Sequence, residues 1–327
     1  MSFYCTRMVP YIATPRAFIK EASTTIASFL QEDDTNIDWK TVKSFGAEWG
    51  KFNSFSPVEI EQIGKDYFDI VTGAMLHRDT VALDVGCGSG RWIKFVAPKV
   101  SYVEAIEPSM AVLSASKFLQ PLNNMRITQA SVENIPFADH SFDFVYSLGV
   151  LHHVPQTQSA ILRCYEKLKP GGWFLLYLYY NLDNRSFLYK IIFKASDFLR
   201  NRISKLSNLT KRMLCDIIAM LVYWPLAKLS QLISIFSEQL AAAVPLSYYR
   251  KTSFHIMRND SLDRFGTPLE KRFSKIEIEN MLSSVGFSSI QFSQKPPYWH
   301  VVGQKKYENF FFNSLSTRYR ARAAIPV

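Results

Sequence analysis

From Thr80 onward, short apolar runs alternate with stretches in which apolar positions recur every three or four residues, the rhythm of a parallel sheet with crossover helices. VALDV (81–85), YVEAIE (102–107), RITQA (126–130), FDFVYS (142–147) and WFLLYLY (173–179) predict five strands. Each of the four intervals can hold a helix, and the last, following Pro155 and ending at Lys169, is the clearest. There LKPGG (168–172) stops the helix and turns the chain into the fifth strand. The rhythm returns at SKIEIENMLSSVGF (274–287), a helix with Ser274 as N-cap, Glu277 at capping-box spacing and Gly286 as terminator. FSSIQFSQ (287–294) and WHVVGQ (299–304) then fit two more strands. The fold class predicted is α/β: a Rossmann-like, doubly wound, seven-stranded sheet with helices on both faces and a large helical insertion after the fifth strand.

That insertion is basic first and strongly apolar afterwards. RSFLYKIIFKASDFLRNRISKL (185–206) sets Phe187, Leu188, Ile191, Ile192, Phe198, Leu199 and Ile203 against a Lys/Arg face, which predicts an amphipathic helix. IIAMLVYWPLA (217–227) follows with eleven apolar positions. A bilayer needs about 20 residues, and extending the run takes in Asp216 or Lys228, each costing roughly 2.5–3.5 kcal/mol at a helix centre. No transmembrane helix is expected. Two compatible readings stand: a lid whose apolar side packs on the body, favoured because such faces usually bury against their own protein, and a surface lying on an anionic membrane. The chain divides into an N-terminal helical or cap region (1–75), a core (76–180), the insertion (181–273), the returning part of the core (274–304) and a basic tail (305–327).

At roughly 100–200 residues per domain, 327 residues fit one large domain with an insertion, or two domains. With 48% apolar and 20% charged residues, wholesale disorder, collagen and a disulfide-stapled scaffold are excluded. Cys5, Cys87, Cys164 and Cys215 show neither CxxC pairing nor clustering with His, so no metal site is expected and reduced thiols in a cytoplasmic setting are. The first thirty residues lack the apolar run of a secretory signal. The net charge of +10 suggests a polyanionic partner, but it is unevenly spread. Residues 185–212 carry eight basic side chains against Asp197, and Lys305, Lys306, Arg318, Arg320 and Arg322 against Glu308 make the tail basic, leaving the rest near neutral.

The sharpest chemical signal is Asp84-Val85-Gly86-Cys87-Gly88-Ser89-Gly90, where a buried strand gives way to a helix. Glycines let the backbone turn tightly and approach a ligand, and the helix N-terminus behind them favours negative charge, so a nucleotide-type cofactor is implied. The spacing G-x-G-x-G differs from the dinucleotide fingerprint G-x-G-x-x-G. With AIEPS (105–109), ENIPFADHSFDFVYS (133–147), LHHV (151–154) and LKPGG, the loop LDVGCGSG (83–90) makes the chain resemble the class I S-adenosylmethionine (SAM) dependent methyltransferases, and within them the group typified by ubiquinone and menaquinone biosynthesis enzymes. The resemblance runs from Phe45 to Gly172, returns at 274–304 and does not cover the insertion.

The resemblance implies SAM as cofactor. Asp84, Gly86 and Gly88, with Cys87 between them, would hold its methionine end, and Gly90 would ease packing of the next helix. Glu107 would accept from both ribose hydroxyls, its paired oxygens suiting a diol, with Pro108 beside it and Met110 near the adenine face. Where the family usually places an Asp for the adenine amino group, this chain has Ser131, followed by Val132. Ser147 and Leu148 would offer backbone groups to the methionine moiety.

The implied function is methyl transfer from SAM to a small-molecule, hydrophobic or lipid-linked acceptor by in-line displacement, with peripheral contact to an anionic membrane. The sulfonium is already activated, so positioning supplies much of the rate, and a hydroxyl acceptor gains from a nearby base. His152 and His153 after the fourth strand and His255 in the insertion are the candidate catalytic residues, with His300 in a late strand as a further candidate base. Tyr248, Tyr249, His255 and Arg258 form a polar-aromatic cluster assigned to the acceptor pocket. Two rival readings are nucleic-acid methylation and a non-catalytic, membrane-associated SAM-fold protein. Against the first, SLGVLHH stands where an N/D-P-P-Y/F motif is expected, and the PPY at 296–298 lies elsewhere. Against the second stand the complete glycine loop and Glu107.

Overall fold

The structure, a computed structural model, describes residues 8–21, 24–49, 56–183 and 187–307. Arg185 and the tail beyond Tyr307, both part of the charge pattern above, lie outside the described residues. The chain opens with an antiparallel pair, β1 (Ala17–Glu21) and β2 (Thr24–Ser28), and two helices, α1 (Trp39–Trp49) and α2 (Pro57–Tyr67). Ser56 caps α2: its Oγ accepts from the Glu59 N–H, and the Glu59 carboxylate accepts from the Ser56 N–H.

The apolar runs then form β3 (Val81–Val85), β4 (Tyr102–Ile106), β5 (Met125–Thr128), β6 (Phe142–Leu148) and β7 (Leu168–Tyr177). Helices α3 (Arg91–Val96), α4 (Ala111–Leu119) and α5 (Thr157–Lys167) fill three of the crossovers. Five helices follow β7: α6 (Phe187–Ile203), α7 (Asn208–Ile218), α8 (Trp224–Ile233), α9 (Glu238–Ala243) and α10 (Phe254–Gly266). The chain returns to the sheet through α11 (Lys275–Val285), β8 (Phe287–Phe292) and β9 (His300–Lys305). Ser274, Glu277 and a left-handed Gly286 bound α11 as the sequence predicts.

The sheet order is β5-β4-β3-β6-β7-β9-β8, parallel through β7, with β9 antiparallel to both neighbours. Winding reverses between β3 and β6, so the ligand crevice belongs at the carboxyl ends of those strands. Alternation along each strand splits the core in two. Ala82, Phe144, Tyr146 and Leu175 face a cluster with Ile93, Phe95 and Val112, while Leu83, Val145 and Leu176 face Ile161, Ile278 and Leu282.

Three expectations shift. The Pro-Gly-Gly turn is absorbed into β7: Leu168 pairs with Phe142, the register slips, and pairing resumes at Trp173 with Phe144. A Cβ on Gly172 would sit 2.9 Å from the Lys169 carbonyl, which explains a glycine inside a strand. The third strand ends at Thr128, because Gln129 pairs instead with the N-terminal segment, accepting from the Phe29 N–H at 2.8 Å and donating to the Ala27 carbonyl at 2.9 Å. Finally, the apolar run of the insertion does not stand alone. Through a π-helical turn at residues 219–223, α7 and α8 form one 26-residue helix, Asn208–Ile233, long and apolar enough to cross a membrane by length and composition. Asp216 is accommodated because Arg258 grips it with two hydrogen bonds, at 2.9 and 2.6 Å.

That helix has two stripes. Cys215, Ala219, Tyr223, Ala227 and Ser230 are buried at helical spacing, and Cys215, Tyr223 and Ala227 join Ile203, Met257, Leu262 and Phe265 in a separate core of the insertion. Leu209, Met213, Ile217, Leu221, Trp224 and Leu232 line the opposite, exposed side. Mostly small residues are inside and large apolar ones outside, the reverse of an ordinary surface helix.

Candidate active site

The carboxyl end of β3 delivers the glycine loop. Gly86, Gly88 and Gly90 all have positive φ. A Cβ on Gly86 would lie 2.4 Å from Val150 Cγ1, and one on Gly90 2.6 Å from Leu119 Cδ1, so the first glycine lets β6's following loop approach and the third lets α3 pack on α4. The N–H groups of Gly86 and Cys87 donate to the Ile106 carbonyl at 2.9 and 3.1 Å. Beyond the end of β4, Glu107 accepts from the Gly88 N–H at 3.1 Å and from the Ser109 N–H at 2.9 Å, one bond to each carboxylate oxygen. Burial raises its carboxyl above the ordinary range, opposed by those bonds.

Asp84 is 1% exposed, and among the described residues neither carboxylate oxygen has a hydrogen-bond partner. Burial pushes its carboxyl well above the ordinary carboxylate range, against the opposing influence of the Tyr146 hydroxyl. A buried acid left without partners beside a cradle that admits no Cβ fits a ligand bearing a positively charged group. Ser147 is fully buried, its Oγ donating to the Val85 carbonyl at 2.8 Å.

The glycine loop and Glu107 border a cavity of about 710 Å³. Gly86, Cys87, Gly88, Glu107, Pro108, Ser131, Val132, Leu148 and His153 line it; Asp84, Gly90, Met110, Ser147, His152 and His255 do not. Met110 is half exposed at the head of α4. His152 is buried against Tyr179, ring centroids 3.8 Å apart, and burial holds its pKa well below the ordinary histidine value. His153 turns Nδ1 to the Leu269 carbonyl at 2.7 Å and leaves Nε2 without a partner among the described residues. His255, in the first turn of α10 beside cavity-lining Ile256, does not itself line the cavity and lies near Glu59 of α2. His300 is committed to Asp69, at 2.6 Å. Of the predicted polar-aromatic cluster, Tyr248 and Tyr249 reach the cavity, while Arg258 is spent on Asp216.

Two contributions went unread in the sequence. Asp34, buried in the N-terminal region, accepts from Ser131 Oγ at 2.9 Å and from the Asn134 side-chain amide, so a carboxylate stands behind Ser131 after all. From the insertion, α10 brings Asn259, Asp260 and Asp263 to the cavity wall. Tyr249 donates to Asp260 at 2.8 Å and Tyr179 to Asp263. Neither had a local motif to mark it.

The family model for a methyltransferase domain matches residues 83–176. The chain is 31% identical over 165 residues to a ubiquinone biosynthesis O-methyltransferase of Hahella chejuensis, spanning 48% of this chain and 68% of that protein. A protein of the same name from Nitrosospira multiformis is 29% identical over 171 residues, 50% of this chain and 70% of its own length. A tRNA U34 carboxymethyltransferase of Desulfotalea psychrophila is 31% identical over 100 residues, 29% of this chain and 31% of that protein. With the sheet, the glycine loop and most of a relative's length held in common, the chain belongs to the class I S-adenosylmethionine-dependent methyltransferases and is an enzyme of that family.

Proposed function

We propose that this methyltransferase moves the methyl group of SAM to an oxygen of a hydrophobic, lipid-linked small molecule. One observation carries the reading: the cavity runs from the glycine loop to residues that are also on the surface. Leu199, Val222 and Tyr248 line it and are 46%, 43% and 40% exposed, so its mouth opens beside the apolar outer side of the insertion. An acceptor entering there meets apolar side chains before the polar end.

In this reading Gly86, Cys87 and Gly88 hold the methionine end, with Asp84 behind them supplying negative charge for its ammonium group. Glu107, with one backbone N–H on each oxygen, keeps further lone pairs for the ribose diol. Pro108, Ser131 and Val132 flank the adenine, and Leu148 offers its backbone to the methionine moiety. Bound there, SAM supplies an activated methyl group; the chain's task is to orient the acceptor and exclude water. Residues 1–75 and 181–273 act as cap and lid, since Asn36, Thr41, Val42 and Phe45 from one and α10 from the other share the wall.

The outer stripe of the 208–233 helix, together with exposed Lys194, Arg202, Lys205 and Lys228, suits shallow contact with an anionic membrane. The relatives named for ubiquinone biosynthesis and O-methyl transfer, which share half of this chain, support an oxygen acceptor. Titration calorimetry with SAM tests the first step, and absence of binding at millimolar SAM would sink it. Incubation of the enzyme and labelled SAM with fractionated cell extract tests the second: label is expected in the lipid fraction, and label in RNA or protein overturns the acceptor class.

A further inference from the structure

Ser131 is buried and lines the cavity. Its hydroxyl donates to Asp34 Oδ2 at 2.9 Å, and its oxygen accepts from the Asn134 N–H at 3.3 Å. A serine hydroxyl has one proton and two lone pairs, so a single lone pair remains for the cavity. Towards a ligand Ser131 is therefore an acceptor only, because the Asp34 carboxylate holds its proton on the far side. Asp34 is buried too, and its other oxygen accepts from the Asn134 side-chain amide. The segment that carries it is tied to the rim of the cavity at both ends. Ser28 Oγ donates to Gln129 Oε1 at 2.7 Å, and Gln129 Nε2 donates to the Pro108 carbonyl at 3.3 Å. Asn36 exchanges two bonds with the Gln156 backbone, at 3.0 and 2.7 Å. Residues 28–36 lie outside the 83–176 stretch that matches the methyltransferase family model.

We propose that Asp34 is a positioning residue that sets base specificity: by holding the Ser131 proton it makes the cavity take a 6-amino purine and reject a 6-oxo one. This rests on the function proposed above, in which Ser131 flanks the adenine of SAM. An exocyclic amino group donates to the remaining Ser131 lone pair. A 6-oxo group sets a second acceptor against that lone pair, and two buried acceptors facing each other are both left unpaired. A serine hydroxyl free to rotate would not discriminate in this way, since it donates to the oxo group as readily as it accepts from the amino group. The selection therefore comes from a carboxylate 97 residues away in sequence that does not itself line the cavity.

The test is calorimetric titration of the full chain with S-adenosyl-L-homocysteine and with its 6-oxo counterpart, S-inosyl-L-homocysteine. The ratio of the two affinities cancels any general loss of order in the pocket. Wild type is expected to bind the amino compound at least about a hundredfold more tightly. Asp34→Leu fills the same space but offers no acceptor, which frees Ser131 to donate to the oxo group, so the ratio should fall at least about tenfold. Ser131→Ala removes the lone pair itself and should lower the ratio by a similar factor. Adding Ser131→Asp to Asp34→Leu places an acceptor-only oxygen at position 131 directly and should restore the preference. A merely structural Asp34 would weaken both ligands alike when replaced, lowering Tm with the ratio kept. That outcome, a ratio unchanged in Ser131→Ala, or equal affinities in wild type overturns the proposal. Absence of binding of either compound to the wild-type chain at millimolar concentration is a different result and strikes the function proposed above instead.

Discussion

At Gly86 a single methyl group separates a working cofactor loop from a blocked one. Its φ of +85° and the 2.4 Å approach to Val150 mean that Gly86→Ala adds left-handed strain of roughly 1–2 kcal/mol to a clash that only movement of the 150 loop relieves. Urea denaturation should show a loss above about 2 kcal/mol, with SAM binding abolished. Gly73, where a Cβ would meet nothing within 4 Å, is the control, and its alanine variant should fall within about 0.5 kcal/mol of wild type. Glu107→Gln replaces an oxygen that accepts a backbone N–H with an amide that cannot, so one clamp bond is lost whichever way the amide turns. SAM affinity should drop at least about tenfold by calorimetry, the worth of a hydrogen bond to a charged group. The glycines and Glu107 are legible in sequence because their job is local: a turn, a strand end, a fixed interval between them. Asp34 is not, because it acts across about a hundred residues, on Ser131 and Asn134, which only the tertiary fold brings to it.

Pairing between elements is where buried charge enters the core. Glu104 of β4 lies in register with Arg126 of β5, and the two make a bidentate pair at 2.9 Å with Glu104 fully buried. Desolvation outweighs the guanidinium, so the Glu104 carboxyl is raised to about 7 from its ordinary 4.5. An acid whose pKa is higher when folded binds its proton more tightly in that state. Its contribution is therefore fully present below about pH 4.5 and lost as pH rises through 7. The amount at stake is on the order of 3 kcal/mol at most. Chemical denaturation of wild type and Glu104→Gln across pH 4.5–8 should converge on a difference that changes by that order; a pH-independent difference contradicts it. The sheet itself was legible, since strand alternation and the Ser274 cap are short-range signals. The length of the 208–233 helix was not, because reading only the uninterrupted apolar run stops at Asp216, whose charge Arg258 satisfies from another helix.

Across the whole molecule, three separated stretches close one cavity. The N-terminal region supplies Asn36 and Phe45, the sheet supplies the glycine loop, and the insertion supplies α10. The insertion faces two ways. Its small inner residues pack on their own core, and its large apolar residues, with Phe236 84% exposed, face outward beside basic side chains. Burying such side chains in a lipid interface is worth roughly 25 cal/mol per Å² of apolar area, and the basic residues add an attraction that salt screens. Liposome flotation should therefore recover the wild-type chain with vesicles rich in anionic lipid, and recovery should fall as ionic strength rises. Leu221→Glu combined with Phe236→Glu changes only exposed positions on that side, so SAM affinity should stay within twofold while flotation is lost. Equal flotation of wild type and the double variant would place the membrane contact elsewhere and leave the outward apolar stripe to a protein partner.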